Sequence, residues 1–227
     1  DNHPSFDARA QFPSHNEPRV CLITAGDSPI GLSVARQVLA HGDYAFLGLA
    51  HSALERDERR RDEFDAFLAE VEHHGDGWAN RMKTVPLDIR CATSRQPGQL
   101  WILILIPNSF LTQNDGGCQA VVADAVATFG RVDILLCCTS QGDPPFLKVP
   151  LHNILTSFLA LIGTVEELSA STQTMNLVRD QFEVNYFGPL NIIKATLPHM
   201  RKERAGHVMI ISGISKKHIL TIAWMFV

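Results

Sequence analysis

The chain has 227 residues, 45% of them hydrophobic, which is enough for one substantial core and a single α/β-sized domain. A formal charge of -4 leaves no basic excess and argues against a nucleic-acid partner, and no apolar run reaches the roughly 18–20 residues of a membrane span. Five cysteines, at positions 21, 91, 118, 137 and 138, contain no CxxC pair and read as buried thiols of a reducing, cytoplasmic compartment.

Residues 1–18 carry Pro4, Pro13 and Pro18 among polar residues and read as a disordered leader. The pattern changes at Arg19. Val20 to Ile23 predict a short strand, after which Ile30, Val34, Val38 and Leu39 recur at helical spacing. Gly42 stops that helix before a second strand from Tyr44 to Leu49. From Leu54 to His74 a charged stretch places Phe64, Phe67, Leu68 and Val71 on one helical face, and the run from Glu55 to Asp65 reads as its solvated side. A third strand, Lys83 to Leu87, ends at Asp88. A helix carrying Val121, Val122, Ala125, Val126 and Phe129 leads into a fourth strand from Val132 to Cys137. A long helix from about Met175 to Met200, bent at Pro189, precedes a fifth strand from His207 to Ile211. Such alternation predicts a parallel sheet with helices on both faces.

Three segments break this rhythm. Residues 97–117 hold the WILILI run between turn-rich flanks. Residues 142–163 place Leu151, Ile154, Leu155, Phe158, Leu159 and Ile162 at the spacing of an amphipathic helix, and residues 216–227 form an apolar tail.

The first strand runs into Thr24-Ala25-Gly26-Asp27-Ser28-Pro29-Ile30-Gly31, directly before a helix. A glycine-bearing turn there lets the backbone approach a pyrophosphate, held by the free amides and positive end of the helix. Without a ligand the same stretch is a plain strand-to-helix turn. Leu87-Asp88-Ile89, the block from Phe129 to Leu135, the block from Phe182 to Pro189 and the stretch from Leu190 to Gly206 follow in order. Together these resemble the short-chain dehydrogenase/reductase family from about Arg19 to Ser215. Of its TGxxxGIG motif Thr24, Ile30 and Gly31 match; Ala25 and Pro29 stand where the family has glycines, and Gly26 is displaced by one residue.

The resemblance implies a Rossmann-type, three-layer, doubly wound sheet of about five strands in the order 3-2-1-4-5. It also implies a nicotinamide dinucleotide, NADP or NAD, and an oxidoreductase acting on a small alcohol or ketone. The family's cofactor contacts fall on Thr24, Gly26, Asp27, Ser28, Ile30, Gly31, His51, Asp88 and Thr139, with Asp88 beside the adenine. Asp88 is equally readable as a helix N-cap. Cys137-Cys138-Thr139-Ser140 replace the family's NNAG, which leaves the hydroxyls of Thr139 and Ser140. No acidic residue ends the second strand, and His51, Ser52 and Arg56 nearby favour a 2′-phosphate, hence NADP.

For chemistry, the resemblance implies that Asn185 bends its helix and holds a water of a proton relay; a local hydrogen bond is the alternative. The carbonyl-polarising serine falls by register on Gly213, so Ser212 or Ser215 would serve only with a shifted backbone. The family's YxxxK pair is absent, since neither Tyr44 nor Tyr186 has a lysine four residues on. Two readings follow: an oxidoreductase impaired in this chain, or a non-catalytic nucleotide-binding or interaction protein on a Rossmann scaffold. His73 and His74 lack ligand-spaced partners, so no metal is expected. Codons for Ser215-Lys216-Lys217 can spell a splice donor where the resemblance ceases, which makes the three misfit segments candidates for translated introns. Strand five is then expected to be an open edge, partly covered by Ile219 to Val227, with homo-oligomerisation or poor solubility as the consequence.

Overall fold

The computed structural model describes residues 17–50, 54, 57–74, 76–89, 116–138, 166, 169–212 and 221–226. The expected leader up to residue 16, and the interrupting segments apart from residues 116–117 and 221–226, lie outside them.

Strand β1 (Val20–Ile23) leads to α1 (Pro29–Ala40), β2 (Tyr44–Leu49), α2 (Glu58–His73), α3 (Trp78–Arg81) and β3 (Met82–Pro86). Next come α4 (Gly116–Phe129), β4 (Ile134–Cys137), α5 (Thr172–Phe182), a π-helical turn (Glu183–Phe187), α6 (Gly188–Glu203), β5 (His207–Ser212) and β6 (Thr221–Phe226). Among the described residues the strands form one sheet in the order β3-β2-β1-β4-β5-β6. The first five are parallel, as expected. β6 is an addition: it runs antiparallel to β5, from the pair His207 with Phe226 to the pair Ser212 with Thr221. The expectation of an open edge at β5 is therefore corrected, because the apolar tail supplies that strand's backbone partners.

Side-chain alternation divides the core into two layers. Cys21, Ile23, Ala45 and Leu47 meet Leu32, Ala35 and Leu39 of α1 and Phe64 and Phe67 of α2 on one face. Leu22, Phe46, Leu135 and Cys137 meet Val122 of α4 and Ile192 and Met200 of α6 on the other. Strands covered on both faces carry apolar residues at every position, which is why β1 and β4 read as unbroken hydrophobic runs.

Two further expectations are corrected. The long helix departs from α geometry before Pro189, not at it. Pro189 has no N–H for the carbonyl of Asn185 and its ring crowds that carbonyl, so the preceding turn widens and Gly188 N donates to Glu183 O. The charged run of α2 is not wholly solvated either. Arg60 is buried together with Phe64, Phe67 and Val71, with which it shares one helical stripe.

Cys21, Cys118, Cys137 and Cys138 are buried, and none of the four is in a disulfide. Burial, reinforced by Cys138, Asp43 and Asp133, pushes Cys21 up to about 12. Burial alone pushes Cys138 up to about 12 and, with help from Cys138 and Cys118, raises Cys137 as well. An unfolded thiol ionises near 8.5, so above that pH the unfolded chain loses protons that the native chain keeps. Stability is therefore expected to be unaffected by Cys21, Cys137 and Cys138 below about pH 8.5 and to fall between roughly 8.5 and 12, by about 1.4 kcal/mol per pH unit per thiol. Urea midpoints measured across pH 8 to 11 check this, as does iodoacetamide at pH 8, which should label these cysteines only after denaturation. Rapid labelling of folded Cys21 would contradict its placement.

Candidate cofactor-binding site

The strand order reverses between β1 and β4, and in open α/β sheets ligands settle in the crevice beyond the carboxyl ends of strands at such a point. Thr24, fully buried, lies at its floor. Its amide donates to Leu136 O at 3.0 Å, while its hydroxyl donates to Cys138 O and accepts from Cys138 N, each at 2.9 Å. Thr24 thus fastens the ends of β1 and β4 together instead of presenting a free hydroxyl to a ligand.

The loop above it is tightly packed. Ala25 sits in the left-handed region at φ 47, where the absence of a Cβ would relieve about 1–2 kcal/mol of strain. Ala25→Gly is therefore expected to raise stability by a net ~0.5–1 kcal/mol after the unfolded-state entropy of glycine is deducted, visible as a thermal midpoint about 2 °C higher. A lower midpoint would contradict the left-handed backbone there. Gly26 N donates to Gly48 O at 2.8 Å, and a Cβ on Gly26 would stand 2.8 Å from Leu47 Cβ, so this glycine serves contact with β2.

Ser28 caps α1: its Oγ accepts from Gly31 N at 3.0 Å and its carbonyl accepts from Leu32 N at 2.8 Å. Pro29, in the first turn, has no amide to offer. Among the described residues this leaves the amide of Ile30 as the donor of the first turn with no hydrogen-bond partner. Gly31 lets the helix start pass beneath the loop, since a Cβ there would lie 2.6 Å from Ala25 O and 2.8 Å from Gly26 Cα.

Asp27 points inward. Its Oδ1 accepts from Ala50 N at 3.0 Å, and its Oδ2 lies 2.6 Å from Nη2 of Arg60. The sequence reading missed Arg60, although its spacing of four and seven residues from Phe64 and Phe67 already placed it on the buried stripe of α2.

The chain leaving β3 crosses toward the start of α6. Asn191 Nδ2 donates to Ile89 O at 3.0 Å, and a Cβ on Gly188 would stand 2.8 Å from the Ile89 side chain. This gives Gly188 and Asn191 a physical role, and it brings the exposed Asp88 to the end of the helix whose π turn holds Asn185. Ser212 ends β5 with its backbone paired to Thr221. His51 and Thr139 lie outside the described residues. Among the described residues no group of His, Cys, Asp and Glu could hold a metal ion, and no helix is long and apolar enough to cross a membrane.

The profile of the short chain dehydrogenase family matches residues 108–222. The human retinol dehydrogenase 8 is 34% identical over a stretch covering 25% of this chain and 16% of that protein. The zebrafish (Danio rerio) dehydrogenase/reductase SDR family member 7C-B is 34% identical over 35% of this chain and 32% of its own length. A short-chain dehydrogenase/reductase of Mycobacterium ulcerans shares the fold at a TM-score of 0.55 and 18% identity, over 86% of this chain and 51% of that one. A 7α-hydroxysteroid dehydrogenase solved with NADH and 7-oxo glycochenodeoxycholic acid does so at a TM-score of 0.52 and 16% identity, over 87% of this chain and 54% of that one. The chain thus spans about half the length of these solved relatives and a third or less of the curated ones. The chain belongs to the short chain dehydrogenase family.

Proposed function

We propose that this chain binds a nicotinamide dinucleotide in the crevice at β1 and β4, as the cofactor half of an oxidoreductase for an alcohol/ketone pair, with the chemical step impaired. The observation that carries this reading is the start of α1 at the switch point. There the Ile30 amide and the positive end of the helix stand free above the Thr24 lock. The fit is narrower than four free amides would give, because Ser28 engages Gly31 and Pro29 has no donor. When bound, the dinucleotide supplies the hydride acceptor or donor. The residues of this chain do the rest: Ile30 and α1 hold the diphosphate, Thr24, Gly26, Ser28 and Gly31 fix the loop's shape, and Asp88 is assigned the adenine contact. His51 and Thr139 are assigned the remaining contacts, and NADP is the preferred form. Asn185 is assigned the holding of a water, Ser212 only a subordinate part, and the reduced thiols support a cytoplasmic setting.

A second reading, nucleotide binding without catalysis, is favoured by the placement of the tyrosines. Tyr44 begins β2 with its ring 4.9 Å from that of Phe129, and Tyr186 is followed four residues on by Leu190. Titration with NADPH and NADH tests the binding common to both readings, through nucleotide fluorescence and the thermal midpoint. Saturation near a hundred times Kd should add about 2.7 kcal/mol of stability. An unchanged fluorescence and midpoint at millimolar nucleotide would refute both readings.

A further inference from the structure

Arg60 reaches from the first turn of α2 to the loop that follows β1. Its Nε donates to Asp27 O at 3.2 Å, and its Nη2 lies 2.6 Å from Asp27 Oδ2. The arginine side chain is 6% exposed and the aspartate 0%. Asp57 caps the same turn by accepting the Arg60 amide at 3.2 Å, so the guanidinium is carried on a fixed helix start. Asp27 Oδ1 in turn takes the amide of Ala50, the residue after β2. One ion pair therefore joins the loop after β1, the end of β2 and the start of α2. In a doubly wound sheet this corner borders the adenosine ribose, where a carboxylate selects NAD and a cation admits the extra phosphate of NADP.

The end of β2 offers Leu49 and Ala50 and no carboxylate, so the buried acid of this corner comes from the loop. Left bare, it would repel a 2′-phosphate with little screening, because the charge is out of water. We propose that Arg60 is a positioning residue that neutralises Asp27, so that the Asp27–Arg60 pair, and not a residue on β2, sets the choice between NADP(H) and NAD(H) and lets the corner accept the 2′-phosphorylated form. The proposal rests on the dinucleotide reading above.

Dissociation constants for NADPH and NADH, measured by nucleotide fluorescence on the full chain, test it with Arg60→Met, Asp27→Asn and the double variant. Removing the cation should raise the ratio of Kd for NADPH to Kd for NADH about tenfold, and removing the carboxylate should lower it severalfold. The double variant restores zero net charge and should return the ratio to within about twofold of the wild type. A purely structural latch would weaken both nucleotides together and leave the ratio still. Arg60→Met leaves a carboxylate buried without this cation and is the variant at risk of not folding. Asp27→Asn keeps the acceptor for Ala50 and then decides the matter. An unmoved ratio in folded Asp27→Asn overturns the role of the pair while nucleotide binding stands. A wild-type chain that binds neither nucleotide overturns the dinucleotide reading and this proposal with it.

Discussion

Gly31→Ala is expected to be among the most damaging single-methyl changes in the chain, lowering stability by about 3 kcal/mol and the thermal midpoint by about 6–12 °C. The added Cβ would lie 2.6 Å from Ala25 O and 2.8 Å from Gly26 Cα, both backbone atoms that no side-chain rotation can clear. Relief requires lifting the loop from α1. That motion breaks the Gly31 N to Ser28 Oγ hydrogen bond and disturbs the contact with β2 in which the Gly26 amide donates to Gly48 O at 2.8 Å. The response to nucleotide should vanish with it, since the loop and the helix start would no longer form one surface. Gly117→Ala is the matched control: near the start of α4 its Cβ meets nothing within 4 Å, so it should be neutral or stabilising by up to about 1 kcal/mol. Chemical denaturation of both variants checks the pair. An unshifted midpoint for Gly31→Ala would mean that the loop does not rest on the helix.

Four of the five parallel strands, β1, β2, β4 and β5, were legible as apolar runs beside helices of clear 3.6-residue period, the pattern that a sheet covered on both faces demands, whereas β3 carries Lys83 and Thr84 and is nowhere fully buried. β6 was not legible, because five consecutive apolar residues after Thr221 carry no period that tells an edge strand from a tail. Within the site, the motif located the loop but not the direction of its side chains. Asp27 turns inward because Ala25 adopts a left-handed backbone and Arg60 waits beneath, and neither is written in the local letters. Arg60 itself was legible by spacing and concealed by charge, since arginine in a run of charges ordinarily means solvent. The hold of Asn191 on Ile89 joins residues 102 apart, beyond the reach of any local pattern. The proline signalled an irregularity in the long helix, whereas its place as a π turn before Pro189 depended on which carbonyl the ring displaces.

The chain is expected to bind NADPH without measurable turnover of ketones or aldehydes, at a rate at least ~10²–10⁴ below that of an enzyme with a positioned proton donor. A hydride transfer to a carbonyl leaves an alkoxide that must be protonated from within hydrogen-bond reach, and the described tyrosines do not meet that need. Tyr44 pairs with Val20 at the amino-terminal end of β1, the opposite end from the crevice, and its ring rests on Phe129. Tyr186 lies in the π turn, 56% exposed, with its ring edge-on to Phe187 at 5.1 Å, and no lysine stands one turn on. Lys83 is engaged elsewhere, donating to Asp124 at 2.8 Å and Thr128 at 3.0 Å. The measurement is the loss of NADPH absorbance with a panel of aliphatic, aromatic and polycyclic carbonyls, beside a fluorescence titration that establishes binding in the same sample. Binding without turnover is the expected result. Turnover that Tyr186→Phe abolishes would assign the proton to the π turn and refute the expectation, and turnover indifferent to that change would refute it equally, by requiring a donor other than a tyrosine of this helix.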